Sequence, residues 1–380
     1  MRNTSRKPSD GNKSRSIGPD LNQIEVSVFG PGYGECILLH VGFNRWIIVD
    51  SCVSPGSTKP AALQYFDQIG VDCSEAVKLV VATHWHDDHI RGLGKTFKEC
   101  ANAEFVCSGA LKQDEFLDLI AIYKQTALIE YSGVNEFRKI LDELALRCGK
   151  FGKIFSPKFA ISDRILWGNS LEKGGLSFDC ALHSLSPSDS AVFASKLEIR
   201  NIMPMENEVV RVIPAIKVNH TAIVLWAKIN EINILLGSDL EENNSYKGWS
   251  AIVDSETKPL GKAVFFKIPH HGSKNAHHPG VWGKMLAKDP HAVLTPFSKG
   301  GGLPTQKDIN RICSYTTDAY STNLASPKRL KRTSVVEKAI KEATRKIKPI
   351  DASCGHVRFR INMENSYDLE LFDDAGPICS

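Results

Sequence analysis

A dense group of metal-ligand side chains directly after a buried strand is the feature that most constrains this chain. Residues 78–83 form a largely apolar run, and residues 84–89 read His-Trp-His-Asp-Asp-His. A loop at the carboxyl end of a strand lets His84 and His86 face one divalent ion, while Asp88 and His89, which open the next helix, face a second. Imidazole and carboxylate together suit zinc, manganese or iron. The cluster predicts a metal site; a polar loop that only caps a helix is the alternative.

Further ligand-type residues lie in three later segments near the ends of strand-like runs. His220 precedes such a run, Asp239 follows the next, and His270 and His271 follow the run at 264–268. Adjacent residues in an extended backbone point to opposite sides. One of the two adjacent histidines is therefore expected to bind metal, and the other to face the substrate or to support the site. The sequence slightly favours His270 and leaves the choice open.

The order H-x-H-x-D-H, histidine, aspartate, histidine over residues 24–273 resembles that of the metallo-β-lactamase superfamily. The resemblance implies an α/β fold, a four-layer αββα sandwich with a helical insertion, and two divalent ions, zinc with manganese as the alternative. Asp50, which ends the third strand-like run, matches the family's early aspartate, which orients the ligand loop through hydrogen bonds. Asn219 is implied in the same supporting role. The implied ligands are His84, His86, Asp88, His89, His220, Asp239 and one or both of His270 and His271.

A finer resemblance is to the metallo-β-lactamase domain of bacterial competence DNA-uptake channel proteins. It rests on Gly-Tyr-Gly-Glu-Cys at 32–36, on Asn219, on Gly-Ser-Asp-Leu-Glu at 237–241 and on His-His-Gly-Ser at 270–273. It implies a free-standing bacterial relative with nuclease activity. The chain departs from that branch in three places, with Glu35 for aspartate, Ala222 for serine and Leu303-Pro304 for His-Pro.

The implied reaction is hydrolysis by a metal-activated water, with Asp88 and Asp239 as the catalytic residues that hold this water. No G-x-S-x-G elbow is present, and no cysteine occupies a strand–helix turn with a partner histidine. Acyl-enzyme chemistry is therefore not expected. The sequence also lacks a P-loop motif, and this absence argues against a P-loop nucleoside triphosphatase.

Basic residues suggest a phosphodiester substrate, most simply nucleic acid. Residues 323–348 contain nine lysines and arginines against two glutamates, a net charge of +7. Lys299 lies in a glycine-rich stretch, and Ser273 and Lys274 follow the last histidines, where they could bind a phosphate oxygen. A basic helix that only forms a solvated face is the alternative. Two further hypotheses stay open: a hydrolase of small esters, thioesters or lactams, and a non-catalytic binding module with this fold.

Composition sets the remaining expectations. The chain has 380 residues and a net charge of +4, and it contains no apolar run of about 18 residues that would span a membrane. Its ten cysteines lack a C-x-x-C pair and are expected to be reduced thiols of a cytoplasmic protein without membrane partners. Residues 1–22 are expected to be a disordered basic tail and residues 23–380 the metallo-β-lactamase domain.

Two helical segments are expected within that domain. An insertion at 112–148 carries apolar stripes that include Phe116 and Ile120, then Phe137 and Ile140, with Gly149 as its stop. It could be a cap over the site or part of an outer layer. The basic segment at 323–348 ends in a helix that begins with a Ser-x-x-Glu capping box.

Overall fold

The computed structural model describes most of the chain. The described residues are 15–31, 34–54, 56–112, 133–151, 156–173, 175–202, 218–243, 246–298, 302–324, 333–343, 354–362 and 366–379. Their strands are β1 (Ile24–Gly30), β2 (Cys36–Val41), β3 (Trp46–Val49), β4 (Val77–Ala82), β5 (Glu104–Ser108), β6 (Lys158–Ala160), β7 (Arg164–Lys173), β8 (Leu176–Ser184), β9 (Leu225–Ile229), β10 (Ile232–Leu236), β11 (Ala263–Lys267), β12 (Leu286–Leu294), β13 (Ala319–Ser321), β14 (Gly355–Ile361), β15 (Tyr367–Phe372) and β16 (Gly376–Pro377).

Helices connect many of these strands. They are α1 (Ala61–Ile69), α2 (Cys73–Ala76), α3 (Asp87–Ile90), α4 (Leu93–Glu99), α5 (Gly133–Phe151), α6 (Asp189–Ile202), α7 (Trp249–Asp254), α8 (Gln306–Cys313) and α9 (Ser334–Ala343). Short helical turns lie at Gly109–Leu111, Val218–Thr221, His270–Gly272, Lys274–Ala276 and Val281–Met285. No helix of the described ranges combines the length and the hydropathy that crossing a bilayer requires.

The strands form two eight-stranded sheets. The first sheet has the order β15-β14-β1-β2-β3-β4-β5-β6, and the second has the order β16-β13-β12-β11-β10-β9-β8-β7. In the first sheet β3, β4, β5 and β6 run parallel, and in the second β10, β11, β12 and β13 run parallel. Both sheets are therefore mixed, with an antiparallel half joined to a parallel half.

Strand side chains alternate between buried layers, because successive residues of a strand point to opposite faces. Leu38 and Ile48 pack in an apolar cluster with residues of α1, α4 and α5. Leu39 and Ile47 pack between the two sheets against residues of β8, β9 and β10. On the outer face of the second sheet, Trp226 packs with residues of α7 and α8. Three apolar clusters between four layers confirm the predicted four-layer αββα sandwich.

The parallel halves of the sheets position five residues that the site uses. The carboxyl ends of parallel strands meet at one edge of a sheet. In the first sheet Asp50 follows β3 and Thr83 follows β4. In the second sheet Asp239 lies beyond β10, His271 beyond β11 and Thr295 directly after β12. The fold thereby brings segments that are far apart in sequence to the same end of the sandwich.

Part of the predicted helical insertion is a helix of the outer layer. Phe137 and Ile140 are buried in α5 against the first sheet, as their spacing predicts. The helix runs through Gly149 to Phe151, so the predicted stop is wrong. An isolated glycine lowers helix propensity by only about 1 kcal/mol, which packing outweighs. Phe116 and Ile120 lie outside the described residues, as do residues 211–216, for which the sequence predicts a strand.

The described part of the chain begins at residue 15, eight residues before the predicted start of the domain at residue 23. Arg15 donates hydrogen bonds from both guanidinium Nη atoms to the Asp373 carboxylate, at 3.0 and 2.7 Å. The Ile17 carbonyl accepts a hydrogen bond from Arg360 Nη2 at 2.6 Å. Residues 15–22, which composition assigned to the tail, thus contact the domain through polar groups that a hydropathy pattern does not register. The rest of that tail, residues 1–14, lies outside the described residues.

The expectation that all cysteines are reduced is wrong for one pair. Cys313 and Cys379 form a disulfide, and the eight other cysteines, all within the described residues, are not disulfide-bonded. Cys313 ends α8, whereas Cys379 follows β16, which pairs with β13. A separation of 66 residues gives no sequence signal for this contact, because it depends on how β16 joins the second sheet.

His40 of β2 makes folding sensitive to acid. Its Nδ1 lies 2.7 Å from the Gln23 carbonyl, and its Nε2 accepts a hydrogen bond from the Asn44 N–H at 3.1 Å. Burial lowers the pKa of His40 from 6.5 to about 4. Because the folded pKa is depressed, this stabilisation is complete above pH 6.5 and is lost as the pH falls towards 4. Between these two pH values the unfolding free energy should fall by about 3 kcal/mol, with no further loss from His40 at lower pH.

Denaturant unfolding of the unaltered protein and of His40→Gln should separate this contribution. At pH 8, where His40 is neutral, the difference between the two proteins gives the intrinsic cost of the substitution. Between pH 7 and pH 4 the unaltered protein should lose more unfolding free energy than the variant. Parallel pH profiles for the two proteins would contradict the assignment of this acid sensitivity to His40.

Candidate metal centre

Asp50 organises the loop that follows β4. Its carboxylate accepts hydrogen bonds from the Thr83 N–H at 2.8 Å and from the Thr83 hydroxyl at 2.7 Å. It also lies 2.7 Å from Nδ1 of His89. A carboxylate can only accept a hydrogen bond here. Nδ1 of His89 therefore carries the ring proton and donates a hydrogen bond to Asp50. The Nε2 lone pair of His89 therefore faces away from Asp50, as a metal ligand requires.

Four side chains meet at the joined strand ends. They are Asp88, His89, Asp239 and His271, whose ligand atoms all lie within 4.8 Å of one another. His89 Nε2 is 3.4 Å from Asp239 Oδ1, and His271 Nε2 is 3.4 Å from Asp88 Oδ2. Asp239 Oδ2 lies 3.5 Å from His271 Nε2. Each sheet thus contributes one histidine and one aspartate to a single cluster.

Asp239 is placed by the close approach of β10 and β11. The Gly237 N–H donates to the Lys267 carbonyl at 3.0 Å, and a Cβ at Gly237 would come within 2.8 Å of that oxygen. A residue with a side chain would force the two strand ends apart. Ser238 follows with a φ of 47°, in the left-handed region that turns the chain sharply. This turn points Asp239 towards the histidines.

The histidines and carboxylates of the cluster shift one another's pKa values. Burial lowers the pKa of His89, but the surrounding carboxylates, led by Asp239, outweigh it and hold that pKa well above its ordinary value. Burial likewise lowers the pKa of His271, and Asp239 and Asp88 raise it above the usual value. Burial raises the pKa of Asp239, yet His89 and His271 hold it well below normal. The cluster favours positive charge at its centre.

These residues fit a divalent cation. Within the described part of the chain, His89 Nε2 and Asp239 Oδ1 are buried and lie 3.4 Å apart, yet neither has a partner at hydrogen-bond geometry. A buried polar atom without a partner is costly, and a cation held by both atoms would remove that cost. Two imidazole nitrogens with two carboxylates form a donor set that zinc and manganese accept. The cluster is therefore a candidate metal centre.

The two adjacent histidines have different surroundings. Their φ angles are 46° for His270 and 55° for His271, so the expected extended backbone is wrong. The left-handed turn directs His271 into the cluster, with its Nδ1 2.9 Å from the Thr295 carbonyl. His270 turns towards Glu241, whose Oε1 lies 3.2 Å from His270 Nδ1. The slight sequence preference for His270 therefore does not match the geometry, because that preference assumed an extended strand.

The other predicted ligands lie beside the cluster. His84 Nε2 is 3.2 Å from His86 Nδ1, and burial with neighbouring histidines holds the pKa of His84 well below its usual value, as a neutral ligand requires. His220 Nε2 lies 3.5 Å from Glu198 Oε2 of α6. The chain just beyond His220 is bonded to the same loop, since the Ile223 N–H donates to the Thr83 carbonyl. Among the described residues, the four-residue cluster does not include these three histidines.

The remaining predicted residues occupy varied positions. Asn219 Nδ2 donates to Glu241 Oε1 at 3.1 Å and lies 3.5 Å from His270 Nε2. The Ser273 hydroxyl accepts from the Asn275 N–H and so caps the next helical turn. Lys274 is exposed. Lys299 lies outside the described residues.

Sequence reasoning missed three buried residues behind the cluster. Lys267 Nζ lies 2.6 Å from Glu35 Oε2, and the Thr295 hydroxyl donates to the same oxygen at 2.7 Å. The sequence offered two signals, a lysine at the end of the apolar run 263–267 and Glu35 within the Gly-Tyr-Gly-Glu-Cys motif. A fully buried lysine is rare unless it is paired. Its partner precedes β2, too distant in sequence for any local pattern to reveal.

Comparisons with known proteins show likenesses at the level of structure only. No protein-family model matches the chain, and no curated protein matches its sequence. The metallo-beta-lactamase fold protein YhfI from Bacillus subtilis is 13% identical with a TM-score of 0.30, over 64% of this chain and 70% of that one.

Two further solved structures show similarly low sequence identity and TM-scores. The archaeal metallo-beta-lactamase superfamily protein ST1585 from Sulfolobus tokodaii is 10% identical with a TM-score of 0.24, over 60% of this chain and 67% of that one. Zn(2+)-bound PqqB from Methylobacterium extorquens is 12% identical with a TM-score of 0.25, over 63% and 76%. Likenesses this distant do not decide an activity, which has to be inferred from the site of this chain.

Proposed function

We propose that this protein is a metal-dependent hydrolase of phosphodiester bonds, with nucleic acid as its substrate class. The observation that carries the proposal is the cluster of Asp88, His89, Asp239 and His271 at the joined strand ends. Buried imidazoles and carboxylates with facing ligand atoms form a site for chemistry that uses a divalent ion. The same sequence motifs resemble a branch with nuclease activity, which supports the choice of substrate.

Two ions, zinc or alternatively manganese, are part of this proposal. His84, His86 and His220 would hold one ion, Asp88, His89 and His271 the other, and Asp239 would be shared. When bound, such ions supply an activated water and neutralise the negative charge that develops on the oxygens of the attacked phosphoryl group.

Residues of the chain prepare the site for that chemistry. Asp50 holds the proton of His89 on Nδ1, and the Thr295 carbonyl lies 2.9 Å from His271 Nδ1, so both Nε2 atoms are directed into the cluster. In this proposal Asp88 and Asp239 are the catalytic carboxylates, whose oxygens in the cluster would orient the attacking water. No residue of the chain needs to act as a nucleophile.

Positive charge supports a polyanionic substrate. Lys274 is exposed three residues beyond His271, next to the cluster in sequence. The basic segment 323–348 adds a net charge of +7. Its helix is α9, whereas the lysines and arginines at 328–332 lie outside the described residues. Basic side chains bind nucleic acid mainly through its phosphates, without regard to base sequence.

A substrate panel tests the reaction class. The zinc- or manganese-loaded protein should hydrolyse bis-p-nitrophenyl phosphate and at least one of single-stranded DNA, double-stranded DNA and RNA. It should be much slower on a thioester and on nitrocefin. Preference for either of the last two would replace the phosphodiester proposal with a small-molecule hydrolase. A protein that binds metal but is inert on the whole panel would indicate a binding module.

A salt titration tests the substrate class. Affinity for DNA or RNA should fall with salt by a log–log slope of roughly −0.7 to −0.9 per phosphate neutralised. Replacing Lys328, Arg329, Lys331 and Arg332 with glutamine should flatten the slope and leave hydrolysis of the small phosphodiester unchanged. The matched control replaces four exposed lysines elsewhere, Lys95, Lys98, Lys262 and Lys284. A slope that responds equally to both sets would assign the basic segment to an ordinary solvated face.

A further inference from the structure

A buried ion pair joins the two sheets behind the candidate metal centre. Glu35 precedes β2 in the first sheet, and Lys267 ends β11 in the second. Both side chains are fully buried, and Lys267 Nζ lies 2.6 Å from Glu35 Oε2. Lys267 Nζ also donates to the Ile268 carbonyl at 3.1 Å. The pair is thus a fixed polar link across the sandwich.

Glu35 contacts the Asp88–His89 loop of the first sheet and also Thr295 of the second sheet. Its backbone N–H donates to the Asp88 carbonyl at 2.9 Å, and its Oε1 lies 3.8 Å from His89 Nδ1. These contacts tie Glu35 to the loop of the first sheet. Its other oxygen, Oε2, accepts the Thr295 hydroxyl at 2.7 Å, which ties Glu35 to the second sheet.

Thr295 transmits this link to His271. The Thr295 carbonyl lies 2.9 Å from His271 Nδ1, and its hydroxyl is held by Glu35. Thr295 itself is fully buried. The orientation of the His271 ring therefore depends on a residue whose own position is set by the Glu35–Lys267 pair.

Stability does not explain why such a pair is buried. Moving two charges out of water costs several kcal/mol, and apolar residues of similar volume often stabilise a core equally well or better. The pair lies where the Asp88–His89 loop of the first sheet approaches Thr295 at the end of β12 in the second sheet. Partners that orient metal ligands typically change metal affinity by about 10- to 100-fold when they are replaced.

We propose that Glu35, Lys267 and Thr295 are positioning residues that hold His271 and the Asp88–His89 loop at the spacing that binds a divalent ion. This inference rests on the proposed function, since it concerns the same metal centre. Lys267 neutralises Glu35, so that the carboxylate accepts the Thr295 hydroxyl without adding an uncompensated charge beside His89. None of the three residues belongs to the four-residue cluster itself.

Metal binding tests the proposal. Glu35→Gln, Lys267→Met and Thr295→Val should each lower zinc affinity by about 10- to 100-fold, measured by competition with a chromophoric chelator. They should also shift the visible absorption bands of the cobalt-substituted protein. Thr295→Ser, which keeps the hydroxyl, should retain zinc affinity close to that of the unaltered protein.

A double variant separates positioning from stability. Glu35→Leu with Lys267→Met removes both charges and should recover most of the thermal stability that Lys267→Met alone loses. Its zinc affinity should nevertheless remain about as low as that of the single variants. Recovery of full zinc affinity in the double variant would overturn the proposal and leave the pair a purely structural feature.

The buried pair Glu25–Arg360 provides the matched control. It lies between β1 and β14 with a distance of 2.7 Å, and Glu25 is fully buried. Glu25→Gln should lower stability as Glu35→Gln does, yet change zinc affinity by less than about threefold. Equal losses of zinc affinity in the two variants would also overturn the positioning role.

A measurement on the metal-free protein distinguishes failure of the positioning role from failure of the proposed function. In the metal-free protein, the His271 Nδ1–H that bonds the Thr295 carbonyl should give a slowly exchanging proton resonance. Glu35→Gln and Lys267→Met should weaken or shift this resonance, and Glu25→Gln should preserve it. An unchanged resonance together with normal zinc binding would overturn the positioning role alone. An unaltered protein that binds neither zinc nor manganese would overturn the proposed function and this inference together.

Discussion

Asp88→Asn should abolish hydrolysis of bis-p-nitrophenyl phosphate, with kcat/KM falling by more than about 1,000-fold, or roughly 4 kcal/mol of transition-state stabilisation. The Asp88 carboxylate lies 3.4 Å from His271 Nε2 and belongs to the four-residue cluster. Asparagine keeps the shape of the side chain but removes the negative charge that a divalent ion requires. The scaffold should remain folded, because the apolar clusters between the layers supply most of its stability.

The neighbouring residue provides the control for this variant. Asp87 is exposed, while Asp88 is largely enclosed by the cluster. Asp87→Asn removes the same charge one position away and should leave kcat/KM within about threefold of the unaltered protein. His86→Ala should behave like Asp88→Asn if His86 is a ligand. Activity of Asp88→Asn within about tenfold of the unaltered protein would refute its catalytic role.

His271→Ala should lower zinc affinity by at least about 100-fold, whereas His270→Ala should lower it by no more than about tenfold. His271 Nε2 lies within 3.5 Å of Asp239 Oδ2 and 3.4 Å of Asp88 Oδ2. His270 lies 3.2 Å from Glu241 and can affect the site only through its neighbours. Loss of a ligand removes a metal bond outright, and loss of a supporting contact only reorients the ligands that remain.

Chelator competition and elemental analysis of the two purified variants check this prediction. The backbone effect of the substitution is matched in the pair, because both histidines have left-handed φ angles. A difference in zinc affinity should therefore reflect the side chains. A larger loss in His270→Ala than in His271→Ala would show that the ion is held on the Glu241 side, and it would return the ligand role to His270.

The family resemblance predicted the layered fold, and local patterns in the sequence predicted individual strands and helices. Runs such as 36–41 and 232–236 are short, apolar and bounded by turn residues, and they form β2 and β10 at those bounds. The local periodicity of side chains also identified α5 through Phe137 and Ile140. Each pattern depends on residues adjacent along the chain, so a sequence displays it directly.

Those patterns did not predict the backbone conformation at the two adjacent histidines of the site. His270 and His271 adopt left-handed φ angles where an extended backbone was expected. Their conformation is imposed by the turn after β11 and by the Thr295 carbonyl, which comes from a different strand. Adjacent residues alone do not specify such a turn.

By itself, the sequence determined the residue types of the site and their order at strand ends, because His84, His86, Asp88 and His89 share a single loop. Only the tertiary structure decided which histidine meets the carboxylates and which residues support it. Glu35 and Lys267 are 232 positions apart, and their ion pair exists only because the two sheets pack with these strand ends together. Contacts between distant segments are set by the packing of whole layers, and no local sequence pattern encodes them.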